Sequence, residues 1–318
     1  MKKSILALAA TLALSSSALA GTIYPYTYQN CEDSVTINAA PKRAVVNDIN
    51  HIDMAIALGI QGQMAGISGV DNKATKAMLD AIPGIPEVAI KYPNLENILG
   101  VNADFYVSGW NYGMKVGGAV TPKTLKEHGV NTFVLKESCI HVMKMPKQAS
   151  IELLYDDILR LGAIFDKNER AQELVEGWKK ELRETLAKIK NPQKIKVALY
   201  DSGTEKAFTA GKYAMPTALI EAVGAVNVMD DWEKNWGTVP FEQLASKQPE
   251  FLILVDYIDS QNAENSRKFL EQHPLMKETP AVKNKRYLVL DYTEITPSPA
   301  NIPAIIKLAK ALYPGDFE

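Results

Sequence analysis

The stretch Asp166–Ile189, DKNERAQELVEGWKKELRETLAKI, decides how the rest of the chain is read. Asp166 is placed to cap a first turn, and Glu169 three residues later completes a capping-box pattern. Apolar residues recur at Ala171, Leu174, Val175, Trp178, Leu182, Leu186 and Ile189, a three-and-four spacing that draws one stripe along a helix. Lys, Glu and Arg fill the other side. Asn191-Pro192 should end it, because the residue before a proline is pushed out of the helical region. About 23 residues at 1.5 Å each make a rod of roughly 35 Å, the width of a small domain. On both sides of it, short apolar runs alternate with helical patterns. The rod is therefore expected to join two α/β halves: residues 21–165, the helix over 166–190, and residues 191–318.

In the first half, Ala44–Val46, Met64–Ile67, Asp104–Val107 and Thr132–Leu135 read as strands, and a helix runs through Ile56 to Gly59. In the second, Lys196–Tyr200, Phe251–Val255 and Tyr287–Leu290 read as strands. Helical patterns fall at Met215–Val223, around Ser266–Gln272, and at Asn301–Leu312. Strands separated by helices argue for mainly parallel sheets with covered faces. A repeat links the halves: LENILGVNADF at Leu95–Phe105 matches FEQLASKQPEF at Phe241–Phe251, 146 positions apart. Each reads as a short helix, a polar turn and an acidic residue leading into an apolar strand, as duplicated halves would.

The first twenty residues, MKKSILALAATLALSSSALA, combine two lysines, an apolar run and Ala18-Leu19-Ala20 before Gly21, the pattern of a cleavable secretory signal. The run is too short for a spanning helix. No cysteine stands at the cleavage point, so a soluble, non-lipidated exported protein is expected. Losing Lys2 and Lys3 takes the net charge from −2 to −4, a mild value that argues against nucleic acid as partner. The two cysteines, Cys31 and Cys139, are expected to pair in an oxidising compartment. Closing a loop of about 100 residues stabilises by something near 4–5 kcal/mol in the chain-entropy account. The competing reading uses the soft donors of Cys139–Met145, CIHVMKM, as metal ligands, although their spacing matches no regular ligand motif.

Ala40–Val46 (APKRAVV), Leu58-Gly59-Ile60, Gly66-Ile67-Ser68, Asn94-Leu95-Glu96 and Val239–Glu242 (VPFE), arranged about the long helix, resemble the periplasmic binding proteins that serve siderophore, haem and cobalamin importers. The similarity runs from about Thr36 to Pro314. It implies the class III architecture: two α/β lobes with mainly parallel sheets joined by one long rigid helix. It also implies a ligand in the cleft between lobes, an inner-membrane ABC permease dimer as partner, an outer-membrane receptor upstream, and a monomer in the periplasm. In that family one glutamate on each lobe docks on permease arginines, which points here to Glu96 and Glu242. No G-x-x-x-x-G-K-[ST] loop is present, so the chain reads as the capture subunit and not the motor.

Ligands in open α/β sheets bind beyond the carboxyl ends of strands. That selects Asn47, Asp48, Asn50 and His51 after the first strand, then Trp110, Asn111 and Tyr112. In the second half it selects Asp201, Ser202 and Thr204, then Thr209 to Tyr213 with Lys212 among them, then Trp232, Trp236, Tyr257 and Tyr292 to Glu294. Large flat side chains with a polar handle suit a bulky, partly apolar ligand. No arginine falls in a cleft loop, and Lys115 and Lys212 lack the forked geometry that grips polyanions. A metal chelate of low negative charge is therefore expected, an iron–siderophore of the hydroxamate type first, with a corrinoid or haem as alternatives. His51 is the candidate axial ligand for haem, or else a hydrogen-bonded loop histidine. No resident cofactor and no directly bound metal are expected. A hydrolase built on Asp201 and Ser202 is the reading from another class, but no G-x-S-x-G, H-E-x-x-H or C-x-x-C motif supports catalysis.

Overall fold

The computed structural model describes residues 21–71, 73–257 and 263–318, so the signal segment expected over residues 1–20 lies outside the described residues. In the first lobe five strands lie parallel in the order Glu87–Ala89, Met64–Ser68, Ala44–Asn47, Phe105–Trp110 and Asn131–Val134, with short Gly113–Met114 beside the end of the fourth. In the second lobe the order is Val226–Asn227, Lys196–Tyr200, Phe251–Asp256 and Tyr287–Asp291, again all parallel. Their central strands are buried along nearly their whole length, as parallel strands covered on both faces must be. Every strand anticipated above is present, with ends moved by at most three residues.

The joining helix spans Asn168–Leu186, 19 residues and about 28 Å, shorter than expected at both ends. Asp166 is not its cap. Its backbone takes a left-handed turn (φ 56°) and its carboxylate accepts the Thr22 N–H at 2.7 Å. Lys167 stands at the cap position without a side-chain hydrogen bond. The helix also stops before Asn191-Pro192, and Ile189 packs on the core from the following turn. The apolar stripe does face inward: Ala171, Val175 and Leu182 are buried, and Leu174, Trp178 and Leu186 are packed half-buried beside them. They meet helices Ile151–Ile164, Asn301–Leu312 and Ile49–Leu58. Approach to the first is close: a Cβ on Gly162 would lie 2.4 Å from that of Ala171. One hydrophobic core consequently runs under both lobes, from Val46 and Val107 through Val175 to Val197 and Ile253.

Two antiparallel ribbons lie outside the alternating pattern and were not anticipated. Tyr26–Asn30 pairs with Asp33–Ile37 and covers the free edge of the first sheet. Tyr28 donates its hydroxyl hydrogen to Thr132 O at 2.6 Å, and Asn30 Oδ1 accepts the Val134 N–H at 2.7 Å, occupying groups that an open edge would expose. Arg160, ion-paired with Asp157 at 2.5 Å, donates to Gln29 O and Val134 O. The Cys31–Cys139 disulfide closes the same corner, spanning 108 positions with its Cα atoms 5.3 Å apart. That pairing removes Cys139 from the soft-donor run, and among the described residues no cluster of three or more His, Cys, Asp or Glu side chains could hold a metal ion. The second ribbon, Ala207–Ala210 against Trp236–Val239, replaces what reads in the sequence as loops. Among the described residues no helix is long and apolar enough to cross a membrane.

Candidate functional site

Each sheet reverses its order of travel beside its innermost strand. In the first lobe the chain moves outward from Ala44–Asn47 through Met64–Ser68 to Glu87–Ala89, then returns to Phe105–Trp110 on the other side. In the second it moves from Lys196–Tyr200 to Val226–Asn227, then returns to Phe251–Asp256. Neighbouring loops diverge at such points and leave a crevice at the carboxyl ends of the strands. A cavity of about 330 Å³ lies against the loops of both points. Asn111, Tyr112 and His141 line it from the first lobe; Asp201, Phe208, Asn235, Trp236, Tyr257, Tyr292, Ile295 and Thr296 line it from the second. No arginine or lysine is among these lining residues. The volume falls within the roughly 300–1,000 Å³ usual for small-molecule sites.

The aromatic walls are held by backbone pairing. In the second ribbon Ala210 faces Trp236 and Phe208 faces Thr238, which puts the Phe208 and Trp236 rings on one face, stacked at 5.9 Å and 11°. Asn111 adopts φ 64°, and Gly113, at φ 109°, leaves room where a Cβ would strike the Asn47 amide and the Tyr106 hydroxyl. Asn47, buried and hydrogen-bonded to Ser68 Oγ, donates to Tyr112 O at 2.7 Å, so it holds the Tyr112 loop from below. Across the cleft, Tyr257 donates to Asp201 Oδ2 and Ser202 to Asp201 Oδ1, both at 2.7 Å. Burial raises the Asp201 carboxyl, and those two hydroxyls oppose it.

Tyr257 and Tyr292, with ring centroids 5.8 Å apart, also form a wall of a second cavity of about 350 Å³ that includes Asp53, Lys73, Met78, Asp256 and Asp291. Here the lobes are clasped. Buried Asp48, at φ 70°, pairs with Lys73 of its own lobe at 2.9 Å and accepts the Tyr292 hydroxyl of the other at 3.1 Å. Lys73 also sits 4.3 Å above the Tyr292 ring. Asn50 adds an interlobe hydrogen bond to Pro297 O at 3.3 Å.

Behind Tyr112 lies an unusual buried carboxyl. Glu137 is 3% exposed, and neither oxygen makes a well-formed hydrogen bond. Burial pushes it up to about 8; the nearby Asn235 side chain and Met215 N–H restrain the rise, and Asp157 adds to it. The Tyr112 hydroxyl and both polar atoms of Asn235 are likewise buried without well-formed partners.

Of the residues selected from sequence, Tyr112, Trp236, Tyr257 and Tyr292 meet in the first cavity, with Asn111 and Asp201 beside them. The others do not line it. Asn47 and Thr209 are fully buried, Thr209 donating to Leu199 O. His51 turns into the first lobe from the helix Ile49–Leu58, with no exposed surface, and burial lowers its imidazole to about 4. Trp110 packs with Tyr106, Met114 and Leu125 under the sheet. Trp232 packs on the second lobe's core, its indole ring over Gly237. Lys212 pairs with Glu233 at 3.7 Å and lies near the Tyr213 ring. Phe208, Asn235, Ile295 and Thr296 escaped the sequence reading because ribbon register and a four-residue helix, Tyr292–Ile295, bring them in. His141, one of the soft donors in the Cys139–Met145 run, has its Nε2 3.1 Å from Asn111 Nδ2.

Glu96 and Glu242 are exposed in the first turns of the helices Leu95–Gly100 and Phe241–Ser246. These helices, the strands that follow them, and the left-handed residues Asn102 (φ 49°) and Gln248 (φ 51°) all stand 146 positions apart.

A family profile described as periplasmic binding protein matches residues 45–293. YvrC of Bacillus subtilis (strain 168), named an uncharacterized ABC transporter substrate-binding lipoprotein, is 21% identical over 301 residues, covering 93% of this chain and 88% of its own. A periplasmic binding protein from Veillonella parvula superposes with a TM-score of 0.79 at 23% identity, over 91% of this chain and 97% of that one. An ABC-type Fe3+-hydroxamate transport system from Saccharomonospora viridis gives 0.77 at 19% identity, over 91% and 99%. At these identities the solved structures establish the fold alone.

Proposed function

The chain belongs to the periplasmic binding protein family, and from that premise we propose that it captures a metal chelate in the interlobe cavity and delivers it to an ABC importer permease. The observation that carries this reading is the cavity itself, set against the switch points of both lobes, with the rings of Tyr112, Phe208, Trp236, Tyr257 and Tyr292 and no lysine or arginine in its lining. A polyanionic catecholate chelate would need cationic partners there. A weakly charged ferric hydroxamate fits aromatic walls with scattered polar groups. The chain acts in the periplasm after export, binds without turnover, and presents Glu96 and Glu242 to the permease. Native mass spectrometry of protein purified from the periplasm tests the cargo through its mass and metal isotope pattern. Calorimetry with a ferric trihydroxamate, a ferric tris-catecholate, haem and a corrinoid then ranks the classes. Tight hydroxamate binding with a change in tryptophan emission is expected, since Trp236 lines the cavity. Tight binding of the tris-catecholate alone would overturn the reading.

A further inference from the structure

Behind the first cavity the lobes meet through a carboxyl group. Glu137, in the turn Glu137–His141 of the first lobe, lies against two groups of the second, the Asn235 amide and the Met215 N–H. That N–H opens the helix Met215–Ala222, whose capping position, Ala214, supplies no side-chain hydrogen bond and whose next residue, Pro216, has no N–H. Glu137 therefore stands where a helix of the other lobe lacks its cap. Among the described residues no cation neutralises it. Lys136 is held by Asp156 and Arg160 by Asp157, Lys147 is exposed, and His141 lies against Asn111. Asp157 and Tyr112 add only acidic groups to its surroundings. A buried carboxyl without a counter-ion keeps its proton. The neutral acid both donates and accepts, so its O–H suits Asn235 Oδ1 while its carbonyl oxygen suits the Met215 N–H. An ionised carboxylate only accepts, and the same amide would have to turn its Nδ2 toward it. Asn235 precedes Trp236 in the chain, its own carbonyl accepts the Gly211 N–H at 2.7 Å, and the Tyr112 hydroxyl lies against the Trp236 side chain. Both rings wall the first cavity.

We propose that Glu137 is a positioning residue for the ligand: it ties the first lobe to Asn235 and to the Met215 helix end, and so holds the Trp236 and Tyr112 rings in place as cavity walls. The role rests on the binding function proposed above and names the group that sets the shape of its aromatic wall. Loss of the proton puts a charge between the lobes, draws in water and loosens those walls, so ligand affinity falls as pH rises through the ionisation of Glu137. One test needs no ligand: tryptophan emission of the purified protein is followed from pH 6 to 9.5. It should change with its midpoint at about 8. Glu137→Gln, which keeps the shape but cannot ionise, should flatten the change, and so should Trp236→Phe. The second test measures a ferric trihydroxamate by calorimetry at pH 7 and 9, with melting temperatures recorded at both. The wild-type chain should lose about tenfold in affinity over that range and Glu137→Gln less than about threefold, because only the former exchanges a proton. A wild-type emission that does not titrate, a change that persists in Glu137→Gln, or an affinity whose pH dependence is absent or equal in the two chains overturns the positioning role and leaves the chelate reading standing. If no chelate binds at either pH but the emission behaves as expected, the chelate reading falls and the coupling of Glu137 to Trp236 stands. Failure of both measurements overturns both.

Discussion

A single residue, Glu137, ties the stability of the fold to pH. Its carboxyl is buried where the first lobe meets Asn235 and Met215 of the second, with Asp157 behind and Tyr112 in front. Adjacent Lys136 does not neutralise it, since that ammonium is 2.5 Å from Asp156. In the unfolded chain the group ionises near 4.5; in the folded protein burial moves this to about 8. Between those values the folded state keeps a proton that the unfolded state has lost. The carboxyl's contribution is therefore fully present below about 4.5, declines as pH rises, and is gone above about 8. His51 runs the other way: burial lowers it from 6.5 to about 4, so its contribution is lost as pH falls through that window. The two slopes oppose each other between 4.5 and 6.5 and leave Glu137 alone between 6.5 and 8. Glu137→Gln keeps the shape and removes the titration. Urea unfolding from pH 5 to 8 should show the wild-type chain losing on the order of a few kcal/mol relative to the variant, at about 1.4 kcal/mol per pH unit. Parallel pH profiles would refute the assignment. Nothing in the sequence advertises this residue: Glu137 stands between Lys136 and Ser138 like any surface acid, and only its burial gives it this role.

At the scale of elements, the long helix contains a position that costs stability with no visible return. Gly177 lies in its interior, and a Cβ there would meet nothing within 4 Å. Gly177→Ala should raise the unfolding free energy by about 0.5–1 kcal/mol, because alanine loses less backbone freedom on entering a helix. Thermal and denaturant melts would measure it, and a neutral or negative effect would mean that the helix bends or contacts a partner at that point. Gly162 is the contrast: Ala171 already fills the space beside it. The helix and the parallel strands were legible because burial on one stripe or on both faces writes a periodic pattern. The antiparallel ribbon Ala207–Ala210 with Trp236–Val239 was not, since its halves are four residues long and 25 positions intervene. Trp236 and Tyr257 were legible as strand-end aromatics. Phe208 and Asn235 depend on that ribbon's register, which no local spacing encodes. Trp110 and Trp232 look the same in sequence as Trp236, yet they point into the cores of their lobes. Side-chain direction at a strand end is decided by tertiary packing, and the aromatic residue type alone does not fix it.

For the whole molecule, duplication sets where a partner could read both lobes at once. Helices Leu95–Gly100 and Phe241–Ser246 begin with exposed Glu96 and Glu242 at matching places, and each leads into the inner strand of its lobe. The helix dipole favours a carboxylate in a first turn, so local stability alone accounts for an acid at either site. The paired placement adds a geometric fact: any movement of one lobe against the other changes the relation between the two charges. A permease with two arginine-bearing subunits would then recognise the closed, loaded arrangement through orientation as much as through energy. An exposed ion pair contributes only about 0–1 kcal/mol, so two of them set register and encounter rate more than they hold the complex. The one core that runs beneath both lobes, with the Asp48–Tyr292 hydrogen bond across the cleft, limits how far that relation can change. The double variant Glu96→Arg with Glu242→Arg should fold and bind ligand as the wild type does, and fail to support uptake through the cognate permease. Each single variant should fall between, because one correct pair still biases the approach. Uptake assays beside calorimetry on the same variants separate the two activities. Normal uptake by the double variant would dismiss the docking role, and lost ligand binding would place the residues in the cleft mechanism instead.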